Sequence, residues 1–324
     1  MLPLLLTAAL AQDAERDGVI DALTLRFDSR YDNIDGGRER ERLQNSALVA
    51  FRVDTVAGVD LAGMASTGDD FTSRWSTWRD LRGGEPERMA LSLRQLYVQR
   101  WFGAVRAQAG SLSPVKGAVS TSGLEDLGWI DGVRLEGHHP SGVTVEGVAG
   151  SLTDIEEPDL FLRRRALDYG EVELDVALPS GFEVQSAYHQ LGGLPYLKAE
   201  LGWRHEDPLG TIAALRWEAG LQLADARPLV LVQARVDPAG LLPIDERLRD
   251  WVALRGMVRR VDPDYGPFGA LSEDFYQFGT ELHARLDGDL EPNDRLGYSV
   301  RYITGLSGEL LPRLDIALTA RLRL

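Results

Sequence analysis

Leu314-Asp315-Ile316-Ala317-Leu318-Thr319-Ala320-Arg321-Leu322-Arg323-Leu324 is the stretch whose reading decides the fold. Successive side chains of an extended chain point to opposite faces. Leu314, Ile316, Leu318, Ala320, Leu322 and Leu324 therefore share one face, and Asp315, Thr319, Arg321 and Arg323 the other. One such strand suits many sheets. The same alternation recurs in segments of about ten residues, the length and patterning of strands that cross an outer membrane. Leu23, Leu25, Phe27 and Tyr31 alternate with Thr24, Arg26, Asp28 and Arg30; Val172, Leu174, Val176 and Leu178 alternate with Glu171, Glu173 and Asp175. Leu215, Trp217, Ala219 and Leu221 oppose Arg216, Glu218 and Gln222. A period of two makes all of these strands rather than helices.

Turn formers separate the segments: Pro140-Ser141-Gly142, Pro179-Ser180-Gly181, Asp207-Pro208-Leu209-Gly210, Asp237-Pro238-Ala239-Gly240 and Glu291-Pro292-Asn293-Asp294. The pattern predicts strands over 21–32, 43–54, 57–66, 89–101, 104–112, 129–138, 142–152, 167–178, 182–190, 195–206, 211–224, 228–236, 249–261, 275–287, 295–304 and 313–324. That is about sixteen, an even number as single-chain outer-membrane barrels require, with fourteen or eighteen left open. The 89–101 segment changes face between Leu93 and Leu96, which calls for a bulge. Long connections at 67–88, 113–128, 153–166 and 262–274 all fall on one rim, the external one if both termini are periplasmic. The connection at 237–248 is long for the opposite rim, and 191–194 and 225–227 are short for the outer one. Trp75, Trp78, Trp101, Trp129, Trp251, Phe268, Phe275 and Tyr276 stand near proposed strand ends, where aromatic rings form interfacial girdles.

The first eleven residues are apolar and end in Ala9-Leu10-Ala11, which fits a signal-peptidase site. The expected organisation is a signal peptide over 1–11 and a single barrel domain over 12–324. No later apolar run is long enough for a transmembrane helix, so a membrane role must come from strands. Fifty carboxylates against 35 basic residues argue against a nucleic-acid partner, and the absence of cysteine excludes disulfides and thiolate metal sites. His138-His139 is a poor metal site because adjacent strand side chains point apart. No G-x-S-x-G elbow or phosphate-binding glycine loop is present, and an acidic ladder in a lumen needs no catalysis to explain it. The reading is of a non-enzyme without cofactor or metal.

Leu96-Tyr97-Val98, Arg100-Trp101-Phe102-Gly103, Val105-Arg106-Ala107-Gln108-Ala109-Gly110 and Asp131-Gly132-Val133-Arg134-Leu135-Glu136 form a recognisable succession. It resembles the alginate-export-type and related porin-like outer-membrane barrels. The resemblance covers about a fifth of the chain and departs at Ser111–Gly117. It implies a monomeric barrel that conducts a hydrophilic solute or polymer past lining arginines.

With apolar faces turned to lipid, the other faces line a lumen and tune its selectivity. Arg26, Arg30, Arg52, Arg106, Arg134, Arg235, Arg255, Arg259, Arg285, Arg301, Arg321 and Arg323 form an expected basic wall, brought together from strands near the two chain ends. Glu171, Glu173, Asp175, Glu183, Glu200 and Glu218 form an acidic wall opposite. Either these walls act on solute through a transverse field, or their charges pair internally, for instance Arg134 with Glu136 and Arg204 with Glu200.

The expected protein is an all-β, antiparallel barrel in the outer membrane of a Gram-negative-type bacterium. Its partners would be outer-membrane lipid and small hydrophilic solutes, anionic ones included, diffusing through a lumen narrowed by an inward loop at 113–128 or 67–88. Export of an anionic polysaccharide such as alginate, a plugged structural or adhesive barrel, and a soluble secreted β-protein are the alternatives.

Overall fold

The computed structural model describes residues 22–35, 38–55, 58–86, 90–114, 124, 126–152, 154–206, 212–237, 252–267, 279–290, 295–306 and 312–323. The expected signal peptide, Trp251, Phe268, Phe275 and Tyr276 lie outside the described residues. Each of the sixteen segments read by period-two patterning holds a strand among the described residues. The strands are Ala22–Asp35 (β1), Arg38–Asp54 (β2), Val59–Thr67 (β3), Ser76–Asp80 (β4), Leu91–Phe102 (β5), Val105–Leu112 (β6), Ile130–His139 (β7), Val143–Ser151 (β8) and Tyr169–Ala177 (β9). Phe182–Leu191 (β10), Leu194–Glu206 (β11), Ile212–Gln222 (β12), Arg227–Asp237 (β13), Ala253–Val261 (β14), Gly279–Asp289 (β15), Leu296–Gly305 (β16) and Arg313–Arg323 (β17) complete the set.

Each strand pairs antiparallel with its neighbours, and β17 returns to β1 over Thr24↔Arg323 through Asp32↔Asp315, which closes the sheet and leaves no edge. Sixteen strands make the circuit. The seventeenth, β4, lies within the long connection after β3 and extends the pairing of β2, Ser76 meeting Asn45 and Asp80 meeting Arg42. Because the two partners of β2 share its length, β3 taking Leu48–Asp54 and β4 the far end, the barrel order is unchanged. The bulge expected in 89–101 is present: Met64 pairs with Gln95 but Ala65 with Leu93, so Arg94 is the extra residue.

The barrel is inside out relative to a soluble domain. Leu135, Val172 and Trp217 are 59%, 58% and 42% exposed, while their polar neighbours Arg134, Glu171 and Glu218 are buried. An apolar exterior on a closed sheet is what hydrocarbon solvates and water does not. Leu135→Arg, in the middle of β7, is therefore expected to cost about 2–4 kcal/mol, the range for a cation at the bilayer midplane. The same substitution at Val105, beside the turn to β5, should cost less; urea titration of barrels folded into lipid vesicles measures both.

Four longer connections, after β3, β6, β8 and β14, share one rim, here the loop rim; the hairpins after β5, β7 and β9 share the other, the turn rim. The expected short hairpins on the loop rim are there, after β10 and β12, as is the long connection after β13 on the turn rim. The girdle expectation needs correction at three tryptophans. Trp129 is fully buried, Trp75 lies beneath the Arg30 guanidinium (4.1 Å to its ring centroid), and Trp101, opposite Arg106, shares the inner face with it. Trp78, half exposed at the β4 bulge on the loop rim, keeps a girdle-like place. Aromatic residues at strand ends give one sequence signal whether the strand end turns them to lipid or to lumen.

Candidate functional site

The inner wall is the candidate site. Strand tilt sets its geometry: residues opposite one another on neighbouring strands form rows that climb around a barrel. Arg235, Arg255, Arg285 and Arg301 stand opposite one another on β13, β14, β15 and β16. The row continues through Asp315, Asp32 and Arg42 on β17, β1 and β2. Like charges directly opposite repel. Carboxylates offset this: Arg235 to Asp237 at 2.6 Å, Arg255 and Arg285 to Asp287 at 2.9 and 3.2 Å, Arg301 and Arg30 to Asp315 at 3.7 and 3.1 Å. Asp32 receives Arg30, Arg42 and Arg313. Among the described residues, seven arginines of this row and its flanks thus converge on four carboxylates, and the wall stays positive.

The other expected basic residues divide. Arg26 binds Asp28 at 2.9 Å, Arg106 binds Glu136, and Arg52 is half-buried on the inner face of β2. Arg321 is buried opposite Arg26, and Arg323 is exposed at the turn rim. Arg134 and Arg259 belong to the opposite side of the charge balance. Arg134 donates from Nε to Glu146 at 3.0 Å and to Gln108 and the Ser113 carbonyl; Arg259 is sealed against Glu281, which also meets His283 Nε2 at 2.8 Å. The internal pairs expected from sequence are replaced by cross-strand or next-in-row partners: Arg134 takes Glu146 rather than Glu136, and Arg204 takes Glu206 rather than Glu200. Strand spacing alone does not say which of several same-face carboxylates a long guanidinium reaches.

All six expected acidic residues are on the inner face, but not equally accessible. Glu218, Glu200, Glu171 and Glu173 are 0%, 2%, 5% and 5% exposed, whereas the side chains of Arg285 and Arg235 retain 32% and 20%. Asp175 and Glu183, nearer the turn rim, are half-buried. Glu200 forms an ion pair with Lys198 Nζ at 2.8 Å, and Glu171 accepts from the Tyr169 hydroxyl at 2.6 Å with His189 3.4 Å away. Water reaches the arginine side of the lumen and is largely kept from the acidic side. The two walls expected from sequence are therefore unequal: the acidic one is covered except at Asp175 and Glu183, and the basic one stays partly open at Arg235 and Arg285.

The cover is apolar. Phe71, Leu112, Leu124, Trp129, Ile130, Leu152, Tyr169, Tyr196 and Tyr265 belong to one buried cluster inside the barrel near the loop rim. Phe71 and Trp129 pack edge-to-face at 5.0 Å, so the connection after β3 folds inward at Phe71, as expected, and Leu124 and Trp129 join it from the end of the connection after β6, most of 113–128 lying outside the described residues; Tyr265 adds the connection after β14. Arg94, the bulge residue, donates to the carbonyls of Asp70, Thr67 and Ser73 at 2.7–2.9 Å and pins the first of these loops. Arg163 lies over Trp129 at 4.3 Å and donates to the Arg94 carbonyl and Ser111 Oγ. Sequence reasoning missed Arg94, Arg163, Lys198 and Tyr265. Arg94 left a trace, the face change between Leu93 and Leu96, and Lys198 another, as one of only two lysines in the chain.

His138 and His139 engage Thr144 and Ser141 separately, and among the described residues no cluster of three metal-binding side chains forms. Asp70 and Asp154, in the acidic loops, accept from backbone N–H groups of Thr72, Ser73 and Arg164.

No family model matches the sequence, and no curated protein sequence matches it. Solved structures do. OprB of Pseudomonas putida, at low pH, aligns with TM-score 0.58 and 11% identity over 93% of this chain and 91% of its own. OccAB1 of Acinetobacter baumannii aligns with TM-score 0.59 and 8% identity over 97% and 99%. OpdK of Pseudomonas aeruginosa, in a structure with vanillate, aligns with TM-score 0.56 and 12% identity over 94% and 99%. The chain shares with them, across nearly its whole length, the fold of a closed antiparallel β-barrel, here of sixteen strands.

Proposed function

We propose that this protein is an outer-membrane channel through which small hydrophilic anions diffuse passively along the arginine face of the lumen. The observation that carries the reading is the unequal access of the two walls: Arg235 and Arg285 keep partly exposed side chains while Glu171, Glu173, Glu200 and Glu218 are covered. An accessible positive wall raises the local concentration of anions and offers their carboxylates charge-assisted hydrogen bonds. Each exposed arginine already holds an aspartate, so a passing carboxylate exchanges with that partner and is held weakly enough to leave, as conduction demands. Arg285 and Arg235, the most accessible of the row, are the residues that act on solute, with Arg255 and Arg301 beside them; Arg30, Arg134 and Arg259 hold the wall together. The apolar exterior faces outer-membrane lipid. The vanillate seen with OpdK, a small carboxylate, fits this solute class.

Purified protein in planar bilayers under a KCl gradient is expected to show step conductances with chloride preferred over potassium. Absence of any conductance from correctly folded barrels would leave a plugged structural or adhesive barrel. Export of an anionic polysaccharide such as alginate would use the same arginines but needs a wide continuous bore, and the inward loops work against it. Block of chloride current by alginate oligomers, with benzoate causing none, would restore that reading.

A further inference from the structure

We infer that Tyr265, with Trp129, is a specificity-determining cover: an apolar gasket that hides the buried carboxylates Glu200 and Glu218 from solute and so confines passage to the arginine face. The inference rests on the channel reading and adds the residues that set its selectivity from the acidic side.

Three tyrosines occupy equivalent places along the covered wall. Tyr169 stands two residues toward the loop rim from Glu171 on β9, and Tyr196 two residues from Lys198 on β11. On β12 the corresponding place above Glu218 is Gly220, which has no side chain to provide a cover. Tyr265 fills it from the loop after β14. A Cβ on Gly220 would lie 2.5 Å from the Tyr265 hydroxyl, and one on Gly266 would lie 2.7 Å from that of Tyr196. The two rings sit 5.4 Å apart, both fully buried. The loop therefore reaches across two strands and seats its ring in a socket that a glycine leaves open. Trp129, Phe71 and Arg163 continue the same cluster toward β6 and β7, so the cover spans the wall from Arg134 to Arg259.

Charge gives the cover its purpose. Among the described residues Lys198 is the only lysine, and it serves Glu200, with Glu218 opposite Glu200 on the next strand. Opened to the bore, those carboxylates would add a negative stripe facing the arginines, draw cations and lower anion preference. Covered, they cost the channel no selectivity.

The natural absence of cysteine allows a direct test in the folded, membrane-inserted protein. Single variants Glu218→Cys and Arg285→Cys are treated with a small uncharged water-soluble thiol reagent, with mobility shift on heating used to select folded barrels. Arg285→Cys is expected to react at least tenfold faster than Glu218→Cys. Adding Tyr265→Ala to Glu218→Cys should raise its rate at least tenfold and leave Arg285→Cys unchanged. Gly220→Ala, which displaces the ring without deleting it, should do the same if Tyr265→Ala fails to fold. Tyr265→Ala in the otherwise natural chain should also shift the reversal potential toward potassium. Equal rates at positions 218 and 285 in the parent, or no acceleration by either cover variant, would overturn the inference. Failure of Arg285→Cys to react would instead count against the open channel itself, separating the two readings.

Discussion

Arg255→Glu combined with Arg285→Glu turns the channel from chloride-preferring to potassium-preferring, so that the reversal potential under a KCl gradient changes sign. The two arginines stand opposite each other on β14 and β15 and share one carboxylate, Asp287, at 2.9 and 3.2 Å. Each reversal changes the local charge by two, and Asp287 then joins the new glutamates instead of offsetting cations. Neighbouring Arg235 and Arg301 are already engaged with Asp237 and Asp315, which limits their ability to compensate. The effect should be largest in about 0.1 M salt, where the Debye length is about 10 Å, and shrink in 1 M salt, where it is about 3 Å. Arg321→Ser, by comparison, should move the potential little, because Arg321 is buried opposite Arg26. A reversal potential that kept the parent's sign in the double variant would show that anion preference resides elsewhere in the lumen.

How far the sequence discloses this arrangement depends on which physical signal each residue leaves. Alternation is local and strong, so Leu314 to Leu324 declares a greasy face and a charged face, and sixteen such segments declare a closed sheet. Five residues, Ser76 to Asp80, are too few to stand out from a long loop, and β4 escaped for that reason. Parity assigns a charge to the inner face but gives no depth: Glu218 and Arg285 have the same strand signature, yet one is sealed and the other meets water. That difference comes from loops, whose residues follow no period. Tyr265 covers β12 and Arg163 covers Trp129 only because connections distant in sequence converge over the lumen. A basic wall was therefore legible, while the asymmetry that makes it the working wall was not.

The same asymmetry sets a large stability effect at Lys198. Its ammonium is 2.8 Å from Glu200 Oε1, both side chains nearly inaccessible, with the fully buried Glu218 opposite Glu200 on β12. Thirty-three arginines and two lysines make up the basic residues, so a lysine here is a departure from the chain's habit. A compact point charge suits the narrow space beneath Tyr196 better than a planar fork would. Lys198→Met keeps the stem and removes the charge, taking from Glu200 its 2.8 Å ion-pair partner. Breaking a buried pair from one side costs about 3–5 kcal/mol, because the remaining charge is stranded away from water. Urea unfolding from lipid vesicles should report a loss of that size, and Lys198→Met with Glu200→Gln should recover part of it by removing one stranded charge. Gly137→Ala, in open space, serves as the neutral reference. Were Lys198→Met to cost under about 1 kcal/mol, as for an exposed ion pair, water must reach Glu200 and Glu218 freely. The covered wall would then be an open one, and anion preference would have to be explained against it.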